Sequence, residues 1–331
     1  MAPKAGSGSI RRIELISKAL TGLYLFHRDQ HYLVVDNKIQ IIDPYTGRVM
    51  ADRSWEGGLQ QLIELKEDCE LTKARETLAK ICFQRFFRLY HHIAGMTGTA
   101  YEVRAELWNV YQMPVVKLPT HRQSLRKVFP AKVCNDKQHQ LSLIVSSIIS
   151  QLDRGRPVLV ATSSVLSSEL LSVELTSINV DHQVLNARQD DQEANIISQA
   201  GQARAVTIAT SMAGRGTDIK LSQSVKAAGG LHVILTEFQD SSRIDRQIIG
   251  RCGRMGDPGS AQQLASMEDK ILNRLPRILI NFNYYFSNSL RLMFLRYAQR
   301  SLEKVHFDTR KHLSKADEEQ DHLFSFAERT L

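Results

Sequence analysis

Arg251 and Arg254 stand three residues apart in Gly250-Arg-Cys-Gly-Arg-Met-Gly-Asp-Pro-Gly259, separated and flanked by glycines. Arginine keeps its charge and forks onto phosphate oxygens, whereas an exposed lysine binds as a loose point charge. In phosphoryl transfer the protein mainly supplies positive charge to the equatorial oxygens, and an arginine reaching in from a second domain is worth roughly 10³–10⁵ in rate. The competing reading is a surface loop whose arginines pair with Asp245 or Asp257. Earlier in the chain, the apolar run Val206-Thr-Ile-Ala-Thr210 leads straight into Ser211-Met-Ala-Gly-Arg-Gly-Thr-Asp218. There Gly214 and Gly216 let backbone approach a ligand closely, and Arg215 offers a charge-assisted donor. Asp218 offers a carboxylate for a ribose hydroxyl or an arginine. Taken alone, a glycine-rich turn after a strand is more often only a turn.

These loops need elements to hold them. An amphipathic helix through Leu141, Ile144, Val145, Ile148, Ile149 and Leu152 stops before Gly155, and Val158–Thr162 follows as a strand. A helix over 166–175, a strand over 183–185, a helix over 192–200 and the strand 206–210 continue the alternation. Leu231–Thr236 adds a strand, and Asp240 or Ser241 caps a helix that delivers Gln247 through Arg254. Strands separated by helices of this length predict an α/β fold, a parallel sheet flanked by helices. In such sheets ligands sit at the carboxyl ends of the strands, where the loop Ser211–Asp218 falls.

Upstream the pattern differs. Tyr32–Val35 and Lys38–Ile42, split by Asp36-Asn37, predict a hairpin. Leu78, Cys82, Phe86, Leu89, Tyr90 and Ile93 recur at helical steps, predicting one helix with a single apolar stripe running into Gly95. The glycines and hydroxyls of Gly95-Met-Thr-Gly-Thr-Ala100 suit a tight bend, and a Pro-bearing connector spans 113–130.

Composition bounds the partners. The 331 residues are 43% hydrophobic and 24% charged, globular material with room for about two domains. Forty-three Lys and Arg against 35 Asp and Glu give +8, which favours anionic partners such as nucleotide phosphates, nucleic acid or acidic headgroups. Cys69, Cys82, Cys134 and Cys252 are too scattered for a zinc site or redox pair and read as reduced cytosolic thiols. The first nine residues lack the apolar core of a secretory signal and read as a flexible lead-in. Asn281, Asn283, Asn288, Arg291 and Arg296 interrupt the apolar stretch 278–297, which argues against a bilayer span.

Thr210-Ser-Met-Ala-Gly-Arg-Gly-Thr-Asp-Ile219 and Gly250–Gly259 closely resemble the fifth and sixth helicase-type motifs of SecA, the preprotein translocase motor family. Asp43-Pro-Tyr-Thr-Gly-Arg48, Trp55-Glu-Gly-Gly-Leu59, Phe83–Tyr90, Ala94–Ala100, Leu185-Asn-Ala187, Gly229-Gly-Leu-His232 and Arg243-Ile-Asp245 are similar too. The likeness runs roughly from Leu20 to Lys315. It implies a RecA-like (helicase-type) parallel sheet with an N-terminal α+β remnant and a C-terminal helical tail. The implied map is a remnant of the preprotein-crosslinking domain over 1–72, and the end of a first nucleotide-binding domain over 73–100. A second nucleotide-binding domain then covers 101–280, and the start of a helical scaffold 281–331. It also implies that Arg251 and Arg254 act as arginine fingers on ATP. Gly214, Arg215, Gly216, Thr217 and Asp218 would line the same cleft, with Gln247 coupling it to nucleotide state. The implied partners are a preprotein and a membrane translocation channel, and the implied location is cytoplasmic or peripheral on the inner face of the membrane.

The departures are specific. No Gly-x-x-x-x-Gly-Lys-Ser/Thr phosphate loop occurs in the 331 residues, nor the acidic strand-end motif that would hold Mg²⁺. The expectation is therefore no appreciable hydrolysis by this polypeptide alone, with Mg²⁺ and the phosphate loop supplied by a first nucleotide-binding domain on a separate chain. Two other functions compete: a catalytically inactive SecA-derived binding or regulatory module, and half of a nucleic-acid helicase. The last is disfavoured by the crosslinking-domain remnant, so no specific nucleic acid is expected.

Overall fold

The computed structural model describes residues 6–43, 49–50, 52–73, 81–185, 193–210, 218–274 and 286–328. In chain order the first elements are helix α1 (Gly6–Tyr24), strands β1 (Tyr32–Val35), β2 (Lys38–Ile42) and β3 (Val49–Met50), and helices α2 (Leu59–Lys66), α3 (Phe83–Arg88) and α4 (Arg104–Tyr111). Next come β4 (Leu125–Val128), β5 (Lys132–Cys134), α5 (Lys137–Asp153), β6 (Val158–Thr162), α6 (Val165–Ser177), β7 (Gln183–Leu185), α7 (Glu193–Gln199) and β8 (Val206–Thr210). The last are α8 (Gln223–Ala227), β9 (Leu231–Leu235), α9 (Ser242–Ile249), β10 (Pro258–Ser266) and the long α10 (Asn288–Glu328). They form two compact units, each discontinuous in sequence: Met1–Glu76 with Leu159–Lys220, and Thr77–Val158 with Leu221–Leu331.

In the first unit β1 and β2 pair antiparallel, with Val35 opposite Lys38, as the sequence predicts. Asp36 and Asn37 both take positive φ, 49° and 59°, which is what a two-residue turn of the hand favoured by twisted hairpins requires. Tyr32, Ile39 and Ile63 form the hairpin's buried core beneath Trp55 and Phe26. Lys66 Nζ donates to the Phe26 and Gly22 carbonyls at 2.7 and 3.2 Å, closing the end of α1. The flexible lead-in is corrected in part: α1 starts at Gly6, because the helical run that follows carries through the small residues. Also in this unit, β6, β8 and β7 lie in that order, with β7 parallel to β8. Every residue of β6 and β8 is buried, the mark of strands covered on both faces.

In the second unit β10 is the centre, parallel to β9 on one side and to β4 and β5 on the other. Two of those partners lie at or beside the stretch read from sequence as connector, since β4 occupies 125–128 and β5 follows at once. They are short and flank Pro130, so neither shows a β-branched run. Asp136 caps α5 by accepting from the His139 N–H at 2.7 Å, and Gln140 Nε2 donates to the Leu264 carbonyl at 2.6 Å, tying the helix to β10. The start of α10 packs Leu295, Ala298 and Leu302 onto Val133, Met267 and Leu272.

The helix expected to run into Gly95 is shorter than the sequence suggests. Among the described residues of this stretch only Phe83–Arg88 is helical, Ile93 lies in irregular chain, and Leu78 falls outside the described residues. The apolar stripe is not core: Phe83 is 74% exposed and Leu89 and Tyr90 more than half exposed. A stripe predicts amphipathicity, not what covers it. Parallel strands flanked by helices, followed by a long C-terminal helix, place the chain in the α/β RecA-like class. Among the described residues no helix is long and apolar enough to cross a membrane.

Candidate functional site

The arginine motif begins on α9. Ser241 caps this helix, its hydroxyl accepting from the Arg243 N–H at 3.2 Å. Asp245, in the first turn, is buried and receives the Gln299 side-chain amide at 2.7 Å and the Gln239 N–H at 3.1 Å. Burial lifts its carboxyl to about 7, against those hydrogen bonds, which lower it, with Glu303 adding to the rise. Glu303 in turn accepts from the Ser242 N–H at 2.7 Å and its hydroxyl at 2.8 Å. Two residues of α10, Gln299 and Glu303, therefore fix the N-terminal turn of the motif helix.

The other face of α9 meets the bend expected at Gly95–Ala100. Gln247 Nε2 donates to Thr99 Oγ1 at 3.3 Å, Arg246 donates to the Gly98 carbonyl at 3.3 Å, and Arg246 also pairs with Glu102. Within this unit the motif helix is thus joined both to the threonine-glycine bend and to α10.

The helix expected to carry Arg251 and Arg254 stops at Ile249: Gly250 still bonds its N–H to the Arg246 carbonyl at 2.8 Å, but the Arg251 N–H tightens to the Ile248 carbonyl at 3.0 Å and Gly253, at φ +62°, turns the chain away. Both arginines lie instead on the turn that enters β10, and both are half-buried. Arg254 Nε donates to the Gly250 carbonyl at 3.0 Å, and Arg126 Nε to the Cys252 carbonyl at 2.8 Å, so two guanidiniums brace the turn's backbone. Gly253 has φ +62°, and a Cβ there would stand 2.8 Å from the Arg126 Cβ. Glycine is required at that position by conformation and by space. The two carboxylates weighed as partners for the arginines have other bonds: Asp257 pairs with Lys226 at 2.9 Å, and Asp245 is held as above.

Gln247, Arg251 and Arg254 are therefore brought together on one helix end and its following turn. Gly214, Arg215, Gly216 and Thr217 lie outside the described residues, as do 44–48, 186 and 187 of the stretches that carry the resemblance. Asp218 belongs to the first unit and is exposed.

Sequence reasoning missed the group that anchors the entrance to β9 and β10. Buried Arg156 donates to the Gly230 carbonyl at 2.9 Å, the Gly229 carbonyl at 2.9 Å, Gln151 Oε1 at 2.8 Å and Ser260 Oγ at 2.7 Å. A Cβ on Gly230 would sit 1.9 Å from the Pro258 carbonyl oxygen. The Gly229-Gly230 pair before a strand was the only signal of such a close approach.

Parallel strands under flanking helices, with an arginine-bearing turn leading into β10, define an α/β domain of the RecA-like class. Family models described as "SecA P-loop domain" and "SecA preprotein cross-linking domain" match residues 123–226 and 221–279, and residues 5–64, respectively. The chain is 46% identical over 326 residues to "Protein translocase subunit SecA 2" of Nitrosospira multiformis, covering 96% of this chain and 49% of that protein. It is 43% identical over 333 residues to "Protein translocase subunit SecA 3" of Magnetococcus marinus, covering 98% and 51%. The structure of the E. coli DEAD-box protein SrmB aligns over 47% of this chain and 87% of that one, with TM-score 0.37 and 20% identity. The chain belongs to the SecA family. It spans about half the length of the curated relatives it matches.

Proposed function

We propose that this chain is a component of an ATP-driven protein translocation motor and carries the arginine side of the ATP site. The observation that carries the reading is the turn 250–257, where Gly253, at positive φ and with no room for a Cβ, helps present two half-buried arginines beside Gln247. Arg251 and Arg254 act as arginine fingers, stabilising the charge that develops on the γ-phosphoryl oxygens. The 211–218 loop, with Gly214, Arg215, Gly216, Thr217 and Asp218, serves the same nucleotide in this reading. ATP suits these donors, while the Mg²⁺ and the phosphate loop come from a first nucleotide-binding domain not contained in these residues. Gln247, bonded to Thr99, reports nucleotide state to the 95–100 bend.

In this reading residues 1–72 derive from the preprotein-crosslinking domain and 73–100 close the first nucleotide-binding domain. Residues 101–280 form the second such domain and 281–331 begin the scaffold. The substrate is a preprotein and the docking partner a membrane translocation channel, with the protein peripheral on the cytoplasmic face. The test is ATP turnover by this chain mixed with a polypeptide carrying the phosphate loop and acidic motif of a SecA relative. Turnover that appears only in the mixture, and falls by roughly 10³ with Arg251→Ala, supports the proposal. Assembly without turnover, indifferent to Arg251→Ala and Arg254→Ala, would show an inactive regulatory module instead.

A further inference from the structure

A second polar site in the same unit shares no lining residue with the arginine-bearing turn. Helix α5 and strands β9 and β10 enclose a pocket of about 390 Å³. Ser146, Ser150 and Arg154 line it at successive four-residue steps, so one helix face turns a row of donors toward it. Lys132 and Gln262 add a cation and an amide, while Phe129, Leu143 and Leu264 supply apolar wall. Among the described residues its lining includes no carboxylate; Asp153 lines the adjoining depression with Ile149.

The pocket also borders His232, which is 1% exposed. His232 Nδ1 lies 2.7 Å from Ser260 Oγ, and that oxygen accepts from Arg156 at 2.7 Å. The Ser260 hydroxyl, with two lone pairs and one proton, can serve Nδ1 as acceptor or as donor. Nε2 is buried and has no hydrogen-bond partner among the described residues. Burial first, then Arg156 and Arg154, lower His232 to about 4, so the ring beside the pocket stays neutral.

We propose that this pocket binds a small phosphate monoester, its oxygens taken by Arg154, Lys132 and the serine hydroxyls, its organic body against Phe129, Leu143 and Leu264. A monoester dianion has three terminal oxygens for these donors, where a carboxylate has two. The site is independent of the arginine turn.

The test uses the full chain with phenyl phosphate as probe and benzoate as control, read by the imidazole resonances of His232 and by titration calorimetry. Phenyl phosphate should shift the His232 signals saturably, and Arg154→Gln and Ser150→Ala should each weaken it about tenfold, the loss of one charge-assisted hydrogen bond. Both substitutions fall at exposed positions, Ser150 on α5 and Arg154 at its C-terminal cap, so the fold survives them. Arg251→Ala should leave this binding unchanged. Absence of a saturable shift at millimolar probe, a shift insensitive to both α5 variants, or benzoate binding as tightly as phenyl phosphate would each overturn the assignment; the first would leave the pocket to water.

Discussion

At the scale of single residues, what separates Arg251 and Arg254 from other surface arginines is the backbone that presents them. A lysine in either place keeps the charge and loses the planar fork. In the reconstituted assembly, Arg251→Lys and Arg254→Lys should therefore lower turnover by about 10² or more, checked by steady-state ATPase. Gly253→Ala tests the turn itself. Its φ of +62° and the 2.8 Å approach to Arg126 predict a loss of about 1–3 kcal/mol in denaturant unfolding. Titration gives a third prediction. Asp245 is raised from 3.8 to about 7, so the stability it contributes is complete below its ordinary value and is lost as pH rises through 7. His232 is lowered from 6.5 to about 4, so its contribution is lost as pH falls through that window. Between about 4 and 6.5 the two oppose, each with a slope of up to about 1.4 kcal/mol per pH unit. Asp245→Asn removes one of them, and its stability should rise more steeply with pH over that window than the wild type's.

At the scale of elements, legibility followed burial. The runs Val158–Thr162, Val206–Thr210 and Leu231–Leu235 are buried throughout, and their apolar sequences announce them. The central strand β10 reads Pro-Gly-Ser-Ala-Gln-Gln-Leu-Ala-Ser, without one β-branched residue. Its place is set by neighbours on both sides rather than by propensity. The arginine motif was legible because its glycines and arginines sit close together in sequence. The ties of α9 to Gln299 and Glu303 were not, because those partners lie more than fifty residues away. Their importance can be measured: Ser241→Ala, which removes the cap of α9, should cost about 1 kcal/mol in chemical unfolding. Gln299→Leu leaves a buried carboxyl short of a donor and should cost more, about 1–3 kcal/mol by the same measurement.

At the scale of the whole molecule, the net charge of +8 drew attention to nucleic acid, yet the placed cations have particular work. Arg156 holds carbonyls, Arg126 braces a turn, and Arg310 forks onto Glu106 at 2.7 and 2.8 Å. Binding to RNA or DNA should consequently be nonspecific and vanish as salt rises toward physiological strength, which filter binding across a salt series would check. The two compact units, finally, set an order of events during synthesis. The first unit needs the segment that ends at Lys220, and the second begins at Thr77 and needs Leu221 onward. A ribosome that has released the chain only as far as Val158 has therefore produced the opening part of both units and the whole of neither. The hairpin and α1 can form early, but their partner strands emerge later, so the nascent chain spends that interval with apolar surface uncovered, a natural client for a holding chaperone.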